Sequence, residues 1–313
     1  MYFPYLRGRQ YELLALRELV ENDRLGDKII PIVEPVKLSS TLIKTISTYH
    51  EAGKNIAIII NPKVGTFKSE LNNTSDGVCK DDFFSLICEQ DIYKAHIMNS
   101  KSHRELSEIE KEQVDKNEII VVVNSRKYLD MYIEEFEGLS PRYVLIPDES
   151  AFRRKIRKNR VLLADKFEKQ KKNSAYKDEE EVFSEDHLYF SDDGYVGFSD
   201  YSIVGSEYLE AGFAPYAVAI HIVYFSKDGI LKIRHFVSDS NDDIRDPAGK
   251  FYEAVKKLAS WHKKNPIGKT LGLESLLACY SNKTYPGLGS VKKMSIMHHL
   301  ELMNKYLMTG VVK

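Results

Sequence analysis

The 313 residues suffice for one large domain or two small ones, and with 43% apolar and 29% charged residues either buries a sizeable core. A net charge of −1 excludes a global field that draws the chain to nucleic acid or anionic membrane, so any such binding needs a local patch. No apolar stretch approaches the roughly 20 residues of a spanning helix. The amino terminus lacks the basic start and apolar run of a signal peptide, and the three cysteines (Cys79, Cys88, Cys279) lack metal-ligand spacing, so a reduced, cytoplasmic setting is expected.

In chain order, residues 2–6 read as a first strand ahead of a helix, and 28–33 as a buried strand followed by a helix over 42–50. Residues 55–60 form the next strand, then come an Asn- and Ser-rich loop (72–77) and a helix near 82–89. Strand 92–98 precedes a charged helix over 105–116, and strand 118–123 leads into a helix over 127–136. Strands 142–146 and 160–164 flank a basic helix over 152–158. The Lys- and Glu-dense stretch 167–186 is expected to be an exposed excursion before an eighth strand at 194–198. Short Ile- and Val-rich runs, each followed by a helical pattern, indicate a parallel sheet covered on both faces.

Successive strand ends fall at Arg7, Glu34, Asn61, Asn99, Asn124, Asp148, Asp165 and Asp200, a mean step of about 28 residues against roughly 30 for a β/α unit. No Gly-x-Gly-x-x-Gly follows the first strand, and eight units favour a closed (β/α)8 TIM-like barrel over 1–205. Beyond it the grammar changes. Residues 216–225 and 230–237 flank Ser-Lys-Asp-Gly, a hairpin signal, and helices follow at 247–263, 271–280 and 292–307. This makes 206–313 an α+β appendage, expected to pack on the barrel.

In a β/α barrel the residues just past each strand surround one mouth, where catalytic groups gather. Asn and Asp there also cap helices and fix turns, which is the plain alternative for each position. Glu34 stands apart, because Glu is a poor cap and directly follows Ile-Pro-Ile-Val. Glu34, Asp165 and Asp200 are the candidate catalytic groups, and removing Glu34 is expected to cost function rather than folding. Glu34, Asp148, Asp165 and Asp200 together are a candidate oxygen set for Mg or Mn. Arg7, Arg9, Lys37, Lys63 and Lys166, with Asn61 and Asn124, are candidates to bind a phosphorylated ligand. Gly205-Ser206, read as a helix start, would add backbone N–H groups for an anion. The mix suits metal-assisted phosphoester hydrolysis or enolate chemistry. The alternative is a degenerate barrel whose charges pair with one another.

His221 and His235 lie on opposite arms of the hairpin. A two- or four-residue turn sets His221 against Arg234, and one bulge would bring the histidines together. His298-His299 with Glu301 sits on the last helix, where neighbours point about 100° apart, so a zinc site pooled from these histidines competes with plain structural roles. Pro286-Gly-Leu-Gly-Ser-Val-Lys-Lys293 is either a phosphate-gripping turn of helix-hairpin-helix type or a plain helix start, and two lysines supply few phosphate contacts.

Several segments carry a resemblance as a set: Tyr5-Leu-Arg-Gly-Arg-Gln-Tyr-Glu12, Gly197-Phe-Ser-Asp-Tyr201, Pro215-Tyr-Ala-Val-Ala-Ile-His221, His235-Phe-Val-Ser-Asp239, Asp246-Pro-Ala-Gly-Lys-Phe-Tyr-Glu253, and Pro286-Gly-Leu-Gly through His298-His299. They resemble an uncharacterised bacterial family related to the phage beta-protein group, found in mobile or defence-like gene neighbourhoods. The family's Arg-Asn-x-Asp-Tyr pattern after strand seven stands here as Lys172-Asn-Ser-Ala-Tyr176, with the arginine and the aspartate replaced, a departure that counts against the family's activity in this chain. The resemblance implies a role beside a nuclease-like partner in an anti-phage defence or mobile-element module; joined to the strand-end groups, it gives the expectation of a component that binds a phosphorylated, nucleotide-like ligand, with metal-assisted hydrolysis as the chemistry open to it. The alternative it leaves is a catalytically inactive barrel serving as a protein- or DNA-binding subunit for a nuclease-like partner.

Overall fold

The computed structural model describes residues 1–73, 77–176, 179–210 and 215–310. The barrel half of the chain runs β1 (Tyr5–Leu6), α1 (Gln10–Glu21), β2 (Ile32–Val33), α2 (Ser40–Glu51), β3 (Ile56–Ile59), α3 (Phe67–Asn72) and α4 (Gly77–Leu86). It continues with β4 (Ile92–Ile97), α5 (Ser102–Lys111), β5 (Ile120–Val122), α6 (Leu129–Glu135), β6 (Tyr143–Ile146), α7 (Ser150–Lys155) and β7 (Arg160–Ala164). Next come β8 (Glu180–Ser184), α8 (Asp186–Tyr189), β9 (Gly197–Asp200), the hairpin β10 (Ala219–Phe225) and β11 (Leu231–Val237), and α9 (Pro247–Lys264), α10 (Leu271–Asn282) and α11 (Leu288–Thr309). The Asn- and Ser-rich loop expected after α3 falls partly on residues 74–76, outside the described residues.

Eight strands pair in parallel in the order β1-β2-β3-β4-β5-β6-β7-β9, which is the TIM-like barrel that the alternating pattern predicts. The ring closes through residues 1–3 rather than through β1 proper. Tyr2 bridges Ile29 on one side and Phe198 on the other. Phe3 N–H donates to Phe198 O at 2.8 Å, Phe198 N–H to Met1 O at 3.1 Å, and Tyr2 N–H to Lys28 O at 2.9 Å. The Ser199 hydroxyl adds a bond to Phe3 O at 2.6 Å. Gly197 is required at this seam, because a Cβ there would lie 2.7 Å from both Met1 O and the Phe3 ring.

The chain divides into two compact units that do not follow a single cut near residue 205. One comprises Met1–Arg9, Asp27–Asp165 and Asp186–Tyr201; the other takes Gln10–Gly26, Lys166–Glu185 and everything from Ser202. The helix α1 thus belongs with the appendage residues. So does the 167–186 stretch as far as Glu185, and as expected it is a largely exposed excursion. Its strand β8 pairs antiparallel with β11 to complete a three-stranded sheet β10-β11-β8, and Phe167, Tyr176 and Phe183 are buried. The Lys- and Glu-rich composition masked this strand, whose first three residues, Glu180, Glu181 and Val182, are exposed while Phe183 and Ser184 are buried.

Within that second unit, one face of the sheet packs on the helices. Ile220, Ile222 and Phe236 share a buried cluster with Phe251 and Leu258 of α9 and Leu273 and Leu276 of α10. Asp246 caps α9 through the Gly249 N–H with Pro247 at its first turn, and Thr270 caps α10 through the Leu273 N–H. A Cβ on Gly272 would lie 2.0 Å from Met294 O, so that residue sets how closely α10 and α11 approach. The five-residue connection between β10 and β11 pairs His221 directly with His235, where a shorter turn predicted Arg234.

The seam has a measurable consequence. Gly197→Ala should lower the free energy of urea unfolding by about 1–3 kcal/mol, the usual cost of overpacking against a fixed backbone. An unchanged unfolding midpoint would show that the closure drawn here is not what holds the barrel.

Candidate functional site

All eight barrel strands are parallel, so their carboxyl ends share one mouth. Which side chains turn into it is a matter of period two. The barrel interior contains Tyr5, Ile32, Ile59, Ile97, Val122, Leu145, Leu163 and Tyr201 in one buried cluster. The next inward step falls on Arg7 after Tyr5, on Glu34 after Ile32 and on Asp165 after Leu163. On β9 the interior residue is Tyr201, so Asp200 points the other way. Its carboxylate is buried, 3% exposed, and accepts a 2.8 Å hydrogen bond from Tyr2 Oη, whose ring stacks on Phe198. The inward step on β6 falls on Pro147. Asp148, 54% exposed, instead accepts from Tyr195 Oη at 2.9 Å and pairs with Arg153. Asp148 and Asp200 therefore leave the predicted site, each displaced by one residue of parity.

At the centre stands Glu34, whose side chain is 0% exposed. One carboxylate oxygen accepts from Tyr5 Oη at 2.6 Å and from the Arg7 guanidinium, and the other accepts the Lys63 backbone N–H at 2.8 Å. Arg7, 14% exposed, lies over the Tyr5 ring (5.2 Å) and the Tyr201 ring (5.5 Å). The loops that carry these groups are fixed by two left-handed glycines. A Cβ on Gly8 would press on Pro35 and Glu34 O, and one on Gly65 would lie 2.0 Å from Val36 O.

The charges follow from this geometry. Burial drives the Tyr5 phenol well above its usual range, and the Glu34 charge reinforces the effect. Burial works against the Arg7 cation, but Glu34 and the two tyrosines outweigh it, so its affinity for its proton rises. The Lys63 ammonium is held below the usual lysine range by desolvation; Glu34 opposes this and Arg7 adds to it. Tyr201 is pushed up to about 12 by burial, with Asp165 and Glu34 adding to the rise, while Arg7 and a hydrogen bond with Asn124 oppose it.

The structure thus brings Arg7, Glu34, Lys63, Asn124 and Asp165 together around Tyr5 and Tyr201. Asn61 is buried beside them in sequence but turns aside. It brackets Ile97 through both main-chain groups at 2.8 Å and donates to Glu105 at 2.9 Å. Lys37 is exposed on the loop before α2, and Arg9 is half-buried past β1. Lys166 and Gly205 belong to the second unit. No helix begins at Gly205-Ser206 among the described residues, which removes its predicted anion-binding N–H groups. Among the described residues no three His, Cys, Asp or Glu side chains group as a metal ion requires. Glu34, Asp148, Asp165 and Asp200 therefore do not fit Mg or Mn, and with three donors already on it Glu34 is neither a ready ligand nor a ready base.

Tyr5 and Tyr201 are the site residues that sequence reasoning missed. Counting outward from the polar strand ends favoured Asp200, while the inward alternation of β9 would have favoured its neighbour. The histidines of the second unit are structural. His298 Nε2–H donates to Val223 O at 2.7 Å and its Nδ1 meets Thr270 Oγ at 2.7 Å, while His299 Nδ1 meets Ser202 Oγ at 2.9 Å. His221 and His235 share a 2.7 Å Nδ1–Nδ1 hydrogen bond between the rings of Phe167 and Tyr176. Lys292 and Lys293 are engaged by Glu12 and Glu18, which leaves the 286–293 turn as a plain helix start.

Two outcomes follow. Three donors on a fully buried carboxylate make Glu34 a structural part of the mouth, so Glu34→Ala should cost about 3 kcal/mol or more of unfolding free energy, the penalty for breaking a buried pair. Urea denaturation reads this directly, and wild-type stability would restore Glu34 as an expendable catalytic group. The buried histidines set the acid limit. Burial depresses His96 and His298 to about 4 and His221 to about 3, from 6.5. In that window the unfolded chain binds more protons, so stability is full above about 6.5 and falls as pH drops towards 4. The slope should reach about 1.4 kcal/mol per pH unit for each histidine. Unfolding midpoints that stay flat from pH 7.5 to 4.5 would contradict it.

Comparison with known proteins leaves the site to be interpreted from its own geometry: no family model matches the chain, and neither a curated protein nor a solved structure is detectably similar.

Proposed function

We propose that the carboxyl-end mouth of the barrel binds a phosphorylated, nucleotide-like ligand through Arg7, within a component of a bacterial anti-phage defence or mobile-element module. The observation that carries this reading is the Arg7 guanidinium, held in one pose by a buried carboxylate and two tyrosine rings. A guanidinium fixed in advance loses little further freedom on binding, and its planar fork suits the paired oxygens of a phosphate. Lys63 feels the charges of both Glu34 and Arg7, which makes it a second cation for an anion at this mouth. The Tyr5 and Tyr201 rings, themselves buried, wall the guanidinium on its inner side. The defence setting rests on the resemblance of the segments from Tyr5 to His299 to the phage beta-protein group.

Binding, rather than metal-assisted hydrolysis, is what these residues suit, because the carboxylates named for a cation do not group. The engagement of Glu34 by three donors favours a second reading on the same ground: the barrel works without catalysis, as a protein- or DNA-binding subunit for a nuclease-like partner.

Calorimetric titration of the full chain with pyrophosphate and with AMP tests the proposal. Binding of at least one probe is expected, weakened tenfold or more in Lys63→Gln, with a melting temperature within about 2 °C of wild type because that side chain is exposed. Absence of binding by both probes, or equal binding by the variant, would sink it.

A further inference from the structure

We propose that a cationic strip on the outer face of the barrel, along α6 and α7, binds the phosphate backbone of nucleic acid irrespective of sequence. Residues 150–160 read Ser-Ala-Phe-Arg-Arg-Lys-Ile-Arg-Lys-Asn-Arg, with six basic side chains and no acidic one, in a chain whose net charge is −1. The structure separates the employed charges from the idle ones. Arg153 pairs with Asp148 and Lys155 with Asp130, while Arg160 donates to the carbonyls of Gly194 (2.9 Å) and Asp193 (2.7 Å). Arg154, Arg157 and Lys158 are exposed and have no carboxylate partner among the described residues, Arg157 making only a 3.3 Å bond to Arg154 O, and Arg126 and Lys127 just ahead of α6 likewise lack a carboxylate partner there.

Arg126, Arg154, Lys155, Arg157 and Lys158 line two adjoining grooves. The first, of about 560 Å³, is lined by Arg126, Asp130, Glu149, Ser150, Arg154 and Lys155. The second, of about 400 Å³, is lined by Lys155, Arg157 and Lys158 together with Glu137 and the apolar Ile133 and Leu139. Lys155 belongs to both, so the cations form one path. Arg126 follows the end of β5 and Ser150 the end of β6, which puts the first groove at the rim of the mouth. Lys158 precedes the start of β7, which puts the second groove near the opposite end of the barrel wall. Among the described residues, Glu149 and Glu137 are the groove-lining acidic groups that lack a basic partner, against four idle cations, Arg126, Arg154, Arg157 and Lys158.

A row of cations in concave grooves suits a linear polyanion. Phosphate contacts of this kind set position and affinity but carry no sequence information. Ile133 and Leu139, both partly exposed, provide apolar surface for a sugar or base alongside the charges. A flat lipid surface would not reach cations lining grooves, which favours nucleic acid over an anionic membrane. The strip is separate from the Arg7 site, and its test does not depend on a ligand at the mouth.

The test is fluorescence anisotropy of a labelled 20-base-pair duplex and a 20-nucleotide single strand, each in two unrelated sequences, with the full chain at 50–200 mM KCl. About four phosphates taken by Arg126, Arg154, Arg157 and Lys158 give a log–log salt slope of roughly −3.6 on duplex, or about a 100-fold loss of affinity across that range. Arg126→Gln/Arg154→Gln/Arg157→Gln/Lys158→Gln should flatten the slope and abolish binding at 50 mM. Lys44→Gln/Lys256→Gln/Lys263→Gln/Lys264→Gln, which removes the same charge at exposed positions elsewhere, should bind like wild type. The proposal is overturned if neither oligonucleotide binds at 50 mM, if the two quadruple variants lose affinity equally, or if phosphatidylserine vesicles bind while both oligonucleotides do not.

Discussion

A ring of parallel strands has one weak place, the pair that the order of the chain does not make adjacent. Here the first and last strands meet through residues 1–3, whose main chain serves the Lys28 side and the Phe198 side at once. The amino-terminal residues thus act as a splice. The fixed positions of Arg7 and Tyr201 follow from it, since they extend the two strands that the splice joins. A slip of one residue there would exchange Tyr201 for Asp200 in the mouth and replace an aromatic wall with a second carboxylate.

The chemistry of the mouth follows from burying one charge. A carboxylate with no solvent contact must be compensated by fixed donors, and Glu34 recruits them from three places: a strand (Tyr5), a strand end (Arg7) and a loop backbone (Lys63). This ties β1, β2 and the loop after β3 into one rigid corner, which the left-handed Gly8 and Gly65 permit by letting main chains touch. The remaining strand ends are looser in purpose. Asn61 and Asn99 spend their amides on Ile97 O and Glu105, joining strand ends to α5 rather than facing a ligand.

The barrel was legible because buried parallel strands are continuous apolar runs and their spacing is regular; 160–164 matched β7 residue for residue. Polar strand ends were legible for the same reason. What one strand end presents to the interior was not, because Asp200 and Tyr201 differ only by the phase of an alternation that spans four residues. Pairing between distant segments was also hidden. The composition of β8 marks it as solvent-facing, and only β11 makes it a strand. Glu34 was picked out for the right reason, being unlike a cap, yet its role depends on donors from Tyr5 and Lys63 that no local pattern announces. The separation of idle from paired cations around α7 is likewise a property of the folded chain, since Asp130 is remote in sequence from Lys155.

The path of the chain between the two compact units carries a consequence for how the protein is inherited and cut. The backbone passes from one unit to the other five times, after Arg9, Gly26, Asp165, Glu185 and Tyr201. Neither unit is a contiguous stretch, so neither can be exchanged by a single recombination or released by a single proteolytic nick. A cut near residue 205 would leave the barrel segment carrying β8 without β11, exposing a raw strand edge. The two units are therefore bound to a shared history, gained or lost together as one gene product rather than as interchangeable modules.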